Sequence, residues 1–415
     1  MGLKALPAGG RIRVRMAARS TDEPHRASSP LELLFDLTFV VAVAAITAQL
    51  AHGIADGHGI ADLPAFLQVF FAIWWAWMNF TWFASSYDTD DVPYRLLTMV
   101  QMAGVLVLAA GVPAAFEDGS YRGVTLGYVV MRVGLVALWL RAAIEHPAGR
   151  GTALRYAAGV TGLTVLWLVR LVLAEAGALP AASLVPIFVG LAILELAVPR
   201  WAERNRRTSW HPHHIAERYG LFTIILLGES VLAASTGAEG AVAAGGLSAS
   251  FATIALAALV LLFSLWWLYF LEPTGEGLAA RRDGCFLWGY GHYGIFAALA
   301  AVGAGLEVAV EQTGHHVDAA PVAIGYAVAA PVAAFLVLLW AAHVPILTSP
   351  VIPTPVILSA AVVVLLLPLA TGLIGLALVI AAIATVCSLV IMTTILSSER
   401  SDGLGAGGVR KSRFR

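Results

Sequence analysis

The sequence predicts an all-α integral membrane protein with about twelve transmembrane helices, arranged as two parallel six-helix repeats. Three observations lead there. The 415-residue chain is 59% hydrophobic and only 12% charged, against about 25% charged in a soluble domain. Apolar runs of about 20 residues, enough to cross about 30 Å of hydrocarbon as a helix, recur from end to end. The runs are continuous and do not alternate with polar residues, so they read as helices and not as strands of a spanning barrel.

Taken in order, residues 1–29 read as a disordered basic N-terminal tail, with neither the apolar core nor the cleavage site of a signal peptide. Spans follow at roughly 31–51, 65–86, 95–116, 121–141, 153–174 and 180–199, making a first half over 30–200. A basic linker occupies 201–213. Spans at roughly 214–235, 248–271, 285–306, 319–342, 355–371 and 373–396 make a second half over 214–397, with the last turn placed at Thr371-Gly372. Residues 398–415 read as a second disordered basic tail.

The charges test this order. With the N-terminus in the cytoplasm, that side receives Arg13, Arg15, Arg19, Arg26, Arg95, Arg141, Arg150, Arg155, Arg200, Arg204, Arg206, Arg207, Arg218, Arg281 and Arg282, together with both basic tails. The opposite side receives only Arg122. This is the positive-inside pattern. It places the chain as a multi-pass protein of the cytoplasmic (inner) cell membrane with both termini cytoplasmic. The expected partners are the lipid bilayer and a small ion or solute, not nucleic acid; an oligomer is compatible with the sequence.

An internal repeat supports the two halves. Trp74-Trp75 with Trp77 and Phe80 is echoed by Trp266-Trp267 with Tyr269 and Phe270. Asp36 and Glu229 stand nearly the same distance upstream of those pairs, Glu117 has a counterpart in Glu307, and Gln101 one in His292. Aligning helix starts instead matches Glu32 with Glu217. Six helices per half make the repeat parallel, not inverted.

The segment Ser29-Pro30-Leu31-Glu32-Leu33-Leu34-Phe35-Asp36-Leu37-Thr38-Phe39-Val40 resembles the opening motif of the bacterial low temperature requirement protein A family. So do His214-Ile215-Ala216-Glu217-Arg218-Tyr219-Gly220-Leu221-Phe222 and Leu227-Gly228-Glu229-Ser230. Tyr87-Asp88-Thr89-Asp90-Asp91 with Arg95, and Gly303-Ala304-Gly305-Leu306-Glu307, extend the match in the expected order over most of 29–310. The resemblance implies an identity more than a mechanism, because the family is named for a growth requirement at low temperature.

Ionisable groups at membrane depth are costly and so mark candidate sites. Glu32 and Asp36 lie four residues apart on one helix face and could share a proton or cation. Glu229 lies about a dozen residues inside its span, after Gly228, read as a point of close helix approach, and before Ser230, read as its local hydrogen-bond partner. Arg132 and Arg170 are natural counter-charges for Asp36, Glu229 or Glu195. Glu217 and Arg218 cap a helix and reach neighbouring loops, and His292 with Tyr290 and Tyr293 lines a cavity or is a satisfied core histidine. His213 and His214, with Glu217, have spacings that a metal would tolerate, but no cluster of ligands accompanies them, so no metal and no cofactor is expected. Trp74, Trp75, Trp77 and Trp82 are too close in sequence to form only an interfacial belt, so some face the bundle.

The two cysteines, Cys285 and Cys387, are too far apart in sequence to suggest a disulfide framework. No phosphate-binding glycine loop and no Gly-x-Ser-x-Gly elbow occurs. The reading that follows is a secondary transporter or cation/proton pathway using intramembrane acids. Its alternatives are an intramembrane enzyme on a lipid-type substrate and a non-catalytic sensor or scaffold.

Overall fold

Ser29-Pro30-Leu31-Glu32 starts the first helix by a capping box. Ser29 Oγ accepts from the Glu32 N–H at 3.3 Å, and Glu32 Oε2 accepts from the Ser29 N–H at 2.8 Å. Pro30 takes the first helical position, where a missing N–H costs nothing. The chain, a computed structural model, is described over residues 12–20, 23, 26–243, 248–347 and 350–409, with side chains to 397 apart from 236–237 and 239–243.

The long helices are α1 (Pro30–Ala55), α2 (Gly59–Tyr87), α3 (Val92–Ala110), α4 (Arg122–Glu145), α5 (Arg150–Glu175), α6 (Ala181–Ala202), α7 (Pro212–Ala243), α8 (Ala249–Phe270), α9 (Cys285–Glu311), α10 (Pro321–His343), α11 (Thr354–Leu366) and α12 (Leu376–Val409). Among the described residues there is no strand. Eleven helices there are long and apolar enough to cross a membrane, which fits a multi-pass membrane protein. The span predicted at 214–235 falls in α7, which is 32 residues long and is not one of those eleven.

Three boundaries differ from the sequence expectation, one of them at the C-terminus, where α12 continues to Val409 through a stretch read as a disordered tail. The third span does not run on to 116. It breaks after Ala110, and a short helix, Val112–Glu117, follows. Pro113 lacks an N–H and so cannot continue the hydrogen bonding of α3, and Gly111 lies so close to Gly123 that a Cβ on it would sit 2.6 Å from the Gly123 Cα. The final turn is at Gly375, not Thr371-Gly372. A 3₁₀ turn (Leu367–Ala370) and a short helix (Thr371–Ile374) continue the segment, and Gly375, at φ +81°, supplies the left-handed residue that ends it.

The chain forms two compact units, one holding residues up to Gln49 and Ala61–Phe222, the other Leu50–Ile60 and Thr223 onward. In the first, α3 packs on α4, α4 on α5, and α5 on α6. Gly104 and Gly127 let α3 and α4 touch backbone to backbone, since a Cβ on Gly127 would run into the Leu108 backbone nitrogen. The face of α2 carrying Phe66, Phe70, Trp74, Trp77 and Phe80 is fully buried. In the second unit, α9 packs on α10, α8 on α12, and α10 on α11. Trp266 and Trp267 are 45% and 47% exposed there, whereas Trp74 and Trp75 are each 1% exposed. The echo between the two tryptophan pairs in sequence is therefore not an echo in burial.

Part of the N-terminal basic stretch is anchored. The Val14 N–H donates to Asp91 Oδ2 at 2.8 Å, the Met16 N–H to Glu145 Oε2 at 2.6 Å, and Arg13 Nη2 to Glu145 Oε1 at 2.9 Å. The acids capping α3 and closing α4 supply the negative sites that this basic segment needs.

Candidate functional site

Glu32 and Asp36 stand one turn apart on α1, both 1% exposed. Arg218 on α7, 0% exposed, reaches both. Its Nε donates to Asp36 Oδ2 at 2.8 Å, its Nη2 to Asp36 Oδ1 at 2.6 Å, and its Nη1 to Glu32 Oε1 at 2.9 Å. Trp77 Nε1 donates to Asp36 Oδ1 at 2.7 Å, so the tryptophan from α2 locks the carboxylate. Arg26 lies 3.9 Å from Glu32 and donates to the carbonyls of Ser85 and Ala84 at the end of α2. Two carboxylates thus face two guanidiniums, a balanced set that can be buried where a lone charge cannot.

His214 is fully buried beside this network. Its Nε2 is 3.1 Å from Glu32 Oε1, but neither ring nitrogen makes a well-aligned hydrogen bond. His213 and Glu217 are exposed, and Glu217 accepts only a long 3.4 Å contact from the Ser28 N–H. Among the described residues no three His, Cys, Asp or Glu side chains come together to hold a metal ion.

Outside the spans, the loop before α3 carries two acids in opposite states. Burial and the negative charge of Glu32 raise the Asp88 carboxyl to about 6, against the pull of Arg26 and Arg19. Burial acts the same way on Asp91, but Arg141 and the N–H groups of Val14 and Tyr94 outweigh it and hold Asp91 at about 2. Arg141 grips Asp91 with both arms, at 2.7 and 2.6 Å.

A second buried pair occupies the middle of the same unit. Arg132 Nη2 donates to Glu195 Oε2 at 2.5 Å. Trp75 and Trp167 donate to the same carboxylate at 3.0 and 2.9 Å. The counter-charge sought for Asp36 is therefore Arg218, and Arg132 belongs to Glu195. The roles of Trp77 and Arg26 had no sequence signal of their own. The capping box at Ser29, which sets Arg26 just ahead of Glu32, was the available clue.

In the other unit the acids are arranged differently. Glu229 on α7 is 7% exposed, and its Oε2 has no hydrogen-bond partner. Half-buried Glu307 on α9 is close enough to feel the charges of Glu229 and Glu311, and among the described residues neither Glu229 nor Glu307 makes an ion pair. Two sequence expectations fail here. Gly228 is exposed, and a Cβ on it would meet nothing; the close approach is at Gly303, where a Cβ would lie 2.7 Å from Ser230 Oγ. Ser230 does not bond Glu229. Its hydroxyl donates to Leu226 O at 3.0 Å and approaches Leu299 O at 3.5 Å. Inside a helix a serine hydroxyl can turn back to the carbonyl four residues earlier. His292 is a satisfied core histidine, with Nδ1 2.8 Å from Trp288 O and Nε2 3.1 Å from Tyr269 Oη.

Comparison with known proteins adds two findings. The family described as Bacterial low temperature requirement A protein matches residues 27–395, most of the chain. An uncharacterized protein of Rhizobium meliloti (strain 1021) is 27% identical over 295 residues, covering 68% of each chain. No solved structure matches.

Proposed function

Because the chain belongs to the bacterial low temperature requirement A protein family, we propose that it is a secondary transporter or cation/proton pathway of a multi-pass membrane protein, with Glu229 as its working acid. The observation that carries the reading is the buried Glu229 Oε2, which has no hydrogen-bond partner, on a residue that makes no ion pair among the described residues. A carboxylate without a resident counter-charge can take up and release a proton or small cation without first breaking an ion pair. Asp36 and Glu32 have no such freedom, since Arg218 already occupies them. In this reading they form the fixed, charge-balanced element, and Glu229 with Glu307 the exchangeable one. The distribution of arginines supports two six-helix halves with both termini cytoplasmic.

The test is flux through protein reconstituted in liposomes, followed with proton- and potassium-sensitive dyes. Glu229→Gln is expected to abolish flux while the protein stays folded. Wild-type flux in that variant, or no wild-type flux under any gradient, would remove the assignment and favour a scaffold or enzyme.

A further inference from the structure

Among the described residues, Arg170, near the end of α5, is the buried guanidinium that the fold leaves without a carboxylate. It is 7% exposed, yet its Nη2 meets only neutral acceptors, Leu184 O at 3.3 Å and Gln68 Oε1 at 3.5 Å. Its Nε is buried with no hydrogen-bond partner. The acid one might assign to it, Glu195, is committed to Arg132, Trp75 and Trp167. The rings of Tyr121, Trp167 and Phe188 surround the guanidinium carbon at 5.7, 5.8 and 5.7 Å. Such contacts stabilise a cation but do not neutralise it. A guanidinium does not give up its proton, so it needs a negative partner.

A cavity of about 30 Å³ opens against this group, lined by Arg170, Gln68, Tyr121, Trp167 and Phe188 among others. It is roughly twice the minimum that holds one water. Tyr121 Oη accepts from Gln68 Nε2 at 3.2 Å, which leaves its own proton free to donate. We propose that Arg170 and Tyr121 form a binding site for a small oxyanion, a carboxylate or phosphate group, with Trp167 and Phe188 as apolar walls. The oxyanion accepts from the Arg170 guanidinium and Tyr121 Oη and supplies the charge that the protein withholds. It is either a free anion or the headgroup of an acidic lipid.

The experiment uses the full chain. In neutral detergent, radiolabelled acetate and inorganic phosphate are titrated in a scintillation proximity assay. In nanodiscs of mixed phosphatidylcholine and phosphatidylglycerol, native mass spectrometry reports which lipid stays bound. Saturable binding of acetate or phosphate identifies a free anion, and selective retention of phosphatidylglycerol identifies a headgroup. Either is expected to weaken about tenfold or more in Arg170→Gln, the scale of a lost charge-assisted hydrogen bond. Tyr121→Phe, which keeps the buried charge and so the fold, is expected to weaken it about threefold. Binding undiminished in both folded variants overturns the proposal. So does a wild type that takes neither probe and shows no preference for phosphatidylglycerol, because the cavity then holds water alone.

Discussion

Arg218 forks onto Asp36 across 182 residues of sequence, its Nε and Nη2 meeting the two carboxylate oxygens at 2.8 and 2.6 Å. The same guanidinium spends its third edge on Glu32. Asp36→Asn would leave Arg218 half-compensated in a fully buried site. Breaking one side of such a pair costs about 3–5 kcal/mol. We expect loss of most folded protein on detergent extraction, measured by size-exclusion recovery and thermal unfolding. Arg218→Lys is expected to fare little better, because an ammonium cannot make the fork. A normally folded Asp36→Asn protein would contradict the fixed role given to this network.

Glu229→Gln should behave in the opposite way. Among the described residues Glu229 makes no ion pair, so its removal strands no charge there. The expected change in stability is within about 1 kcal/mol, with flux lost. A variant that both unfolds and loses flux would show that Glu229 holds the fold together instead.

The loop before α3 predicts two pH effects of opposite sign. Asp88 is raised to about 6 in the folded chain, from about 3.9 when unfolded. The folded state therefore binds more protons between those values, and its stability falls as pH rises from about 4 to about 6, by at most ~2–3 kcal/mol. Asp88→Asn should flatten that slope in thermal unfolding between pH 4.5 and 7. Asp91 is held at about 2, so its contribution is present above about 4 and is lost as pH falls toward 2. In Asp91→Asn the acid loss should disappear, together with the stability that Arg141 confers above it.

How much of this was legible follows from what sequence records. The many-helix membrane character follows from apolar run length, which is local, although eleven helices of that kind stand where twelve spans were expected. Glu32 and Asp36 could be put on one face from their spacing alone. Their partner could not, because α1 and α7 meet only in the folded chain. Arg132, Arg170 and Arg218 look alike in sequence, and only packing gives Asp36 to the third, Glu195 to the first, and no carboxylate to the second. The turn at Gly375 was hidden because Thr371-Gly372 offers the same chemistry a few residues earlier, and only the backbone angle separates them.

Glycines 127 and 228 look equivalent in sequence, each inside an apolar helix, and the structure separates them. A Cβ on Gly127 would collide with the Leu108 backbone, where α3 and α4 touch, while one on Gly228 would meet nothing. Gly127→Val must push the two helices apart. Since backbone cannot yield as a side chain does, the expected loss is about 2–3 kcal/mol or more. Gly228→Ala replaces a flexible residue inside α7 with a better helix former, and is expected to be neutral or to stabilise by up to about 1 kcal/mol. Thermal unfolding of both variants in one detergent tests the pair. Because Gly228 precedes Glu229, the alanine variant also serves the flux assay. Retained flux there, beside its loss in Glu229→Gln, assigns the effect to the carboxylate and not to disturbance of the helix that carries it.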